Sequence, residues 1–180
     1  MKTKVTMVMV NSINGKITFG DSSDIYKWTS SEDSQMFFNL VKKADMVIMG
    51  SHTYQAIRTK INPNIGPFRL IITHHPKKFI SDTIPKRIEF TNDSPLKIFN
   101  KYKPVYKNIL LLGGSEINSL FLKSKLVDEL YLTIEPLLFG SGKNLISDSD
   151  LKINCHLLKV KRLNKKGTLF LVYKLNYEKN

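Results

Sequence analysis

Four short runs in this chain are apolar at nearly every position: KVTMVMV (4–10), DMVIMG (45–50), FRLIIT (68–73) and NILLL (108–112). A strand with one wet face alternates polar and apolar residues. A strand apolar throughout has to be covered on both sides, and a mainly parallel sheet with helices on each face does this. The intervening segments fit. TSSEDSQMFFNLVKKA (29–44) has Ser30 and Asp33 in the S-x-x-D pattern of a capping box, followed by an apolar stripe at Phe37, Leu40, Val41 and Ala44. SHTYQAI (51–57), PLKIFNKY (95–102, with Pro95 in its first turn) and SEINSLFLKS (115–124) read as further helices. IEFTND (88–93) is a weaker strand, and ELYLTIEPLLFG (129–140) gives another, ended by Pro136. INCHLLKVKRL and TLFLVYKL flank Asn164–Gly167 as an antiparallel pair. The pattern predicts one α/β domain over residues 1–180, with a mixed, mostly parallel sheet of about eight strands and an antiparallel hairpin at its C-terminal edge.

Composition excludes several function classes. A length of 180 residues with 42% hydrophobic content suits one core. No apolar run is long enough to span a bilayer, and MKTKVTMVMVNS has no small-residue cleavage site, so neither a membrane protein nor a signal peptide is expected. The single Cys155 cannot form an intramolecular disulfide, which fits a cytoplasmic location; Cys155 and His156 read as strand residues. The net charge of +13 raises the possibility of nucleic acid. Yet only 4 of the 28 basic residues are arginine, the side chain suited to bidentate phosphate and base contacts, and the lysines are spread along the whole chain. A general Lys/Asn bias explains this better, and no nucleic-acid partner is expected. The positive field would still attract a small anion.

Ligands of such sheets sit at the carboxyl ends of the strands. There the sequence reads GSHTY, THHPKK and GGSEIN, all rich in glycines, hydroxyls, imidazoles or helix N-termini suited to phosphate oxygens. His74 and His75 lack a third ligand at metal-site spacing, so no metal is expected. The GxGxxG of a Rossmann unit is absent from the sequence.

The ordered segments SINGKI, WTSSED, VIMGSHTY, LLLGGSEIN and LVDELYLTIEPLLFG resemble the dihydrofolate-reductase-like superfamily. They are most similar to the reductase domain at the C-terminus of bacterial riboflavin-biosynthesis deaminase-reductases (the RibD C-terminal domain). The resemblance spans residues 5–175 and implies NADPH as hydride donor, a small heterocyclic substrate and a possible homodimer. It assigns the cofactor's phosphates to Gly50, Ser51, His52 and Thr53, and the adenosine 2′-phosphate to Thr73, His74 and His75, with Lys77 and Lys78 nearby. It lays Gly113, Gly114, Ser115, Glu116 and Ile117 along the pyrophosphate, with a cis peptide between the two glycines. Val10, Ile17 and Thr18 fall around the nicotinamide.

On the substrate side the resemblance points to Asn11, Trp28, Gln35 and Thr133, with Trp28 either core or a lid over the pocket. Three positions depart from the family pattern. Asn14 replaces the aspartate of S-x-D-G, Gln35 stands where riboflavin reductases carry a phosphate-binding arginine, and Leu112 replaces a glutamate before the double glycine. Counting from Trp28, Asp33 matches the buried carboxylate of dihydrofolate reductases, with Thr133 as its supporting threonine. Periodicity agrees, since Asp33, Phe37, Leu40 and Ala44 share one helical face. Asp33 thus has two readings, a capping-box residue or a catalytic carboxylate.

The implied reaction is transfer of hydride to a C=N or C=O carbon. The protein's share is positioning, exclusion of water and help with one proton. A phosphoribosyl-aminouracil reductase of riboflavin biosynthesis is the leading expectation and a dihydrofolate or pterin reductase the alternative. A non-catalytic relative or a nucleic-acid-binding domain is the reading outside enzymology.

Overall fold

A computed structural model describes residues 2–22, 24–147 and 150–177 of the chain. The elements run β1 (Lys4–Ser12), α1 (Ser31–Lys42), β2 (Met46–Gly50), α2 (Ser51–Ile57), β3 (Phe68–Ile72), β4 (Ile88–Thr91), α3 (Pro95–Tyr102), β5 (Asn108–Leu111), α4 (Ser115–Lys123), β6 (Glu129–Glu135), β7 (Asn154–Arg162) and β8 (Leu169–Asn176). All eight strands join one sheet in the order β4-β3-β2-β5-β1-β6-β8-β7. The pairings from β4 through β6 are parallel; β8 runs antiparallel to β6, and β7 antiparallel to β8.

The both-faces-apolar reading is realised residue by residue. Along β2, every residue of which is buried, Met46 and Ile48 point into one core and Val47 and Met49 into the other. The first core also takes Leu70, Ile109 and Leu111, packed against Ile98 of α3 and Phe121 and Leu122 of α4. The second takes Ile71, Ile88 and Leu110 against Tyr54 of α2 and Leu40, Val41 and Ala44 from the first helix and its end. Helices α1 and α2 therefore cover one face, and α3 and α4 the other. The period-2 alternation of a strand sends its apolar residues to two different helix layers.

The C-terminal edge is different. Every residue of β7 is exposed, including Leu157, Leu158 and Val160. A bulge between Leu157 and Lys159, with lysines at 159 and 161, interrupts this edge, features that discourage pairing with another strand.

In the sheet order β1 lies between β5 and β6, while the chain leaves β1 for β2 on the far side of β5. The winding thus reverses between β5 and β1, and a crevice opens at the carboxyl ends of the strands there.

Candidate active site

A cavity of about 620 Å³ occupies this crevice. Its walls come from the ends of five strands. Val10 lies on β1, Ser51, His52 and Thr53 follow β2, Thr73, His74 and His75 follow β3, Ser115, Glu116 and Ile117 follow β5, and Thr133 lies on β6. Gly50 and Gly114 line it too, and the loop after β1 adds Ile17 and Thr18. Residues expected at a phosphate site and residues expected near a reacting ring therefore share one cavity. Lys78 lines it, whereas Lys77 lies outside the lining.

The double glycine resolves into two glycines with different reasons to be there. The peptide between them is cis, as the resemblance implied. Gly113 has φ +79°, a conformation that L side chains rarely adopt, and a Cβ there would press on the Met9 side chain at 3.3 Å. Its carbonyl accepts from the Gly50 N–H at 2.7 Å, tying the ends of β2 and β5 together. Gly114 has an ordinary extended backbone (φ −71°, ψ −164°), and the nearest atom to an added Cβ is Thr53 Oγ1 at 3.8 Å. Neither its φ and ψ nor the packing of residues beyond its chain neighbours requires glycine at 114. A Cβ there would enter the cavity, at the N-terminus of α4, where no side chain caps the free N–H groups. An uncapped helix start beside open space can receive an anionic group pressed against backbone.

Asp33 is buried (8% exposed) yet lines the same cavity. Burial, opposed by a hydrogen bond donated by the Thr133 hydroxyl and reinforced by the negative charge of Glu135, pushes its carboxyl up from 3.8 to about 6. The S-x-x-D capping box expected of Ser30 and Asp33 forms only in half. Ser30 Oγ does accept from the Asp33 N–H (3.3 Å), but the Ser30 N–H donates to Glu135 Oε1 at 2.7 Å. The reciprocal half of the box is made by a carboxylate from β6. Glu135 also accepts from Thr168 Oγ1 at 2.6 Å and is almost completely buried. One carboxylate is thus fixed by two donors and the other faces the cavity. Glu135→Gln should cost about 1–3 kcal/mol in urea unfolding, because one amide oxygen cannot replace a carboxylate shared by two buried donors.

Four residues of the expected set lie outside the lining: Asn11, Trp28, Gln35 and Gly113. Asn11 is buried on β1, where exchanging its amide O and N lets the nitrogen donate to the carbonyls of Ser12 and Thr133 at 3.3 Å. Trp28 packs edge-on against Phe139 at 5.2 Å between ring centroids, and its indole N–H is buried without a partner. Trp28 is half-buried, outside both hydrophobic cores and outside the cavity lining. Gln35 is exposed on α1, and the helical turn carries it away from the face that Asp33 and Phe37 present to the cavity. The sequence reading missed Tyr26, Phe170 and Lys143, which line the cavity, and it took Phe37 and Leu40 as core only. Phe170 could have been found as the β8 partner of Thr133. Tyr26 lies in a single 3-10 turn, Ile25–Lys27, too short to show a period.

Residues 3–169 match the family model described as RibD C-terminal domain. The chain belongs to the RibD C-terminal domain family. A relative in Bacillus subtilis, the uncharacterized protein YyaP, is 27% identical over 158 residues, covering 83% of this chain and 84% of the relative. In fold, the chain matches a pyrimidine reductase-like protein from Corynebacterium diphtheriae with a TM-score of 0.80 at 18% identity, covering 98% of this chain and 93% of that one. It also matches the diaminohydroxyphosphoribosylaminopyrimidine deaminase/5-amino-6-(5-phosphoribosylamino)uracil reductase of Thermotoga maritima, with a TM-score of 0.73 at 16% identity. That match covers 97% of this chain and 57% of the longer Thermotoga chain. Among the described residues no helix is long and apolar enough to cross a membrane, and no three His, Cys, Asp or Glu residues are grouped to hold a metal ion. For this family member, the cavity and its acid are the features with chemical meaning.

Proposed function

We propose that this protein is an NADPH-dependent reductase of a small heterocycle. The observation that carries the reading is Gly114, a glycine that neither its φ and ψ nor packing beyond its chain neighbours demands, lining a cavity that also holds a buried carboxyl pushed up to about 6. A reduced nicotinamide, when bound, supplies a hydride. The N–H groups of Ser115, Glu116 and Ile117 would hold the pyrophosphate, with Gly50, Ser51, His52 and Thr53 on its other side. Val10, Ile17 and Thr18 would flank the nicotinamide. Thr73, His74, His75 and Lys78 would surround the 2′-phosphate. Apolar walls from Phe37, Leu40 and Phe170 would exclude water around the acceptor ring. Asp33, held by Thr133, would keep a proton near the nitrogen of the ring being reduced.

Two classes of ring fit. Family membership and the fold it shares with named pyrimidine reductases support an aminouracil carrying a ribosyl phosphate. The cavity acid favours the second reading, a dihydrofolate- or pterin-type ring, and Gln35 lies outside the lining, where it cannot stand in for a phosphate-binding arginine. NADPH oxidation measured against the deaminated riboflavin precursor, dihydrofolate and a set of pterins separates them. No oxidation with any of these, together with no NADPH binding, overturns the reductase reading.

Cofactor choice gives a direct check. Even one charge-assisted hydrogen bond from His74, His75 or Lys78 to a 2′-phosphate corresponds to roughly tenfold tighter binding. NADPH should therefore bind at least about tenfold tighter than NADH by fluorescence titration, and equal dissociation constants would remove the 2′-phosphate assignment.

A further inference from the structure

The loop after β1 and the loop after β6 are joined into one wall. Ile13 N–H donates to the Leu137 carbonyl at 2.8 Å, Ile17 N–H to Lys143 at 2.9 Å and Gly20 N–H to Ser141 at 3.1 Å. Thr18 Oγ1 accepts from the Lys143 N–H at 2.8 Å and donates to the Gly20 carbonyl at 2.8 Å. The backbones approach so closely that a Cβ on Gly142 would overlap the Thr18 carbonyl. This joined wall presents Ile17, Thr18 and Lys143 to the cavity.

One side chain closes the joint from within. Asn14 Nδ2 donates to the Phe139 carbonyl at 2.7 Å, and Asn14 Oδ1 accepts from the Phe139 N–H at 3.1 Å. The same Oδ1 accepts from Ser12 Oγ at 2.8 Å, which fixes the amide's orientation. Phe139 in turn packs against Phe19 (5.1 Å between centroids) and Trp28 (5.2 Å). One amide therefore sets both the pairing of the two loops and the ring on which the segment leading into α1 rests.

We propose that Asn14 is a positioning residue that latches the two loops and so holds the Ile17–Thr18–Lys143 wall against the nicotinamide end of the cavity. The latch needs a donor and an acceptor on one side chain. An amide supplies both, and an ionised carboxylate only accepts. This explains why Asn14, rather than the aspartate of the S-x-D-G pattern, suits this chain. An aspartate at 14 would turn a carboxylate oxygen toward the Phe139 carbonyl unless it carried a proton, and a protonated carboxyl restores the donor.

The assignment of the wall to nicotinamide rests on the proposed function; the latch itself does not. The test measures NADPH dissociation constants by fluorescence for Asn14→Asp and Asn14→Ala, each relative to wild type at the same pH. It adds hydrogen exchange of the 13–20 and 137–144 amides under the same conditions. Asn14→Asp should bind NADPH roughly tenfold more weakly at pH about 8 and recover part of the loss by pH about 5. Asn14→Ala should be weak at both. Exchange in both loops should accelerate and recover in parallel. An aspartate variant equal to wild type throughout, or as weak as alanine at both pH values, overturns the latch. If wild type binds no NADPH while exchange still shows pH-reversible loosening in Asn14→Asp, the latch stands and the reductase reading falls. If NADPH binds and exchange is unchanged in the variants, the latch falls alone.

Discussion

Asp33→Asn should make the protein more stable and nearly inactive. The charged form of Asp33 is disfavoured by burial and by Glu135, which is why its carboxyl titrates at about 6 instead of 3.8. A shift of about two units corresponds to at most about 3 kcal/mol carried by the folded state when the group is ionised. The sign follows from proton counts. Between pH 3.8 and about 6 the folded chain holds a proton that the unfolded chain has released, so this group's contribution to stability is full below 3.8 and is lost as pH rises through 6. Asparagine never ionises and can still accept from Thr133. At pH about 7 the variant should gain about 1–3 kcal/mol, read as a melting temperature several degrees higher. Turnover should fall by about a hundredfold or more, the usual worth of a positioned proton donor. Wild-type turnover should decline as pH rises through about 6, and the variant's residual rate should lack that step. A variant that is more stable with wild-type turnover would leave Asp33 as a strained wall residue without a chemical role. Natural residues that oppose stability concentrate where activity needs them.

What could be read from the sequence follows from what each residue interacts with. Strands β2, β3 and β5 were legible because burial on both faces leaves a mark at every position, whatever the partners are. The cavity's position was legible because the strand ends carry residues that an ordinary turn does not need. Asp33 was singled out by its spacing from Trp28 in the family resemblance, and periodicity, a local repeat, agreed in placing it on the apolar face of α1. Its capping role was misread because the competing carboxylate, Glu135, lies 105 residues from Ser30. Ser30 and Asp33 satisfy the local rule, and only the packing of β6 under the start of α1 decides which acid takes the N–H. Asn14 is the same case. Its departure from S-x-D-G was visible, but the meaning lay in the backbone of Phe139, 125 residues away. Tyr26 was missed because it sits in a single 3-10 turn, too short to show either period 2 or period 3.6. Local chemistry can be read along a chain, whereas side chains answering to a distant backbone need the fold.

Gly114→Ala should leave the fold unchanged and weaken NADPH binding by roughly 10- to 100-fold, the worth of one or two hydrogen bonds to a charged group. The φ and ψ at 114 are in a region open to any residue, and beyond the adjacent residues the nearest protein atom to the added methyl group is Thr53 Oγ1 at 3.8 Å. Thermal unfolding of the variant without cofactor should therefore match wild type to within about a degree. The methyl would instead stand at the opening of α4, between the cavity and the N–H groups of Ser115, Glu116 and Ile117. A phosphate held there could no longer reach those donors at hydrogen-bonding distance. Gly113→Ala is the matched control with the opposite signature. Its φ of +79° and the Met9 side chain at 3.3 Å oppose a Cβ within the protein itself, so that variant should lose stability whether or not cofactor is present. Two adjacent glycines thus separate the two reasons for being glycine, conformation at 113 and ligand approach at 114. If Gly114→Ala binds NADPH as tightly as wild type, the cofactor's phosphates do not lie on α4, and the pair only ends a strand.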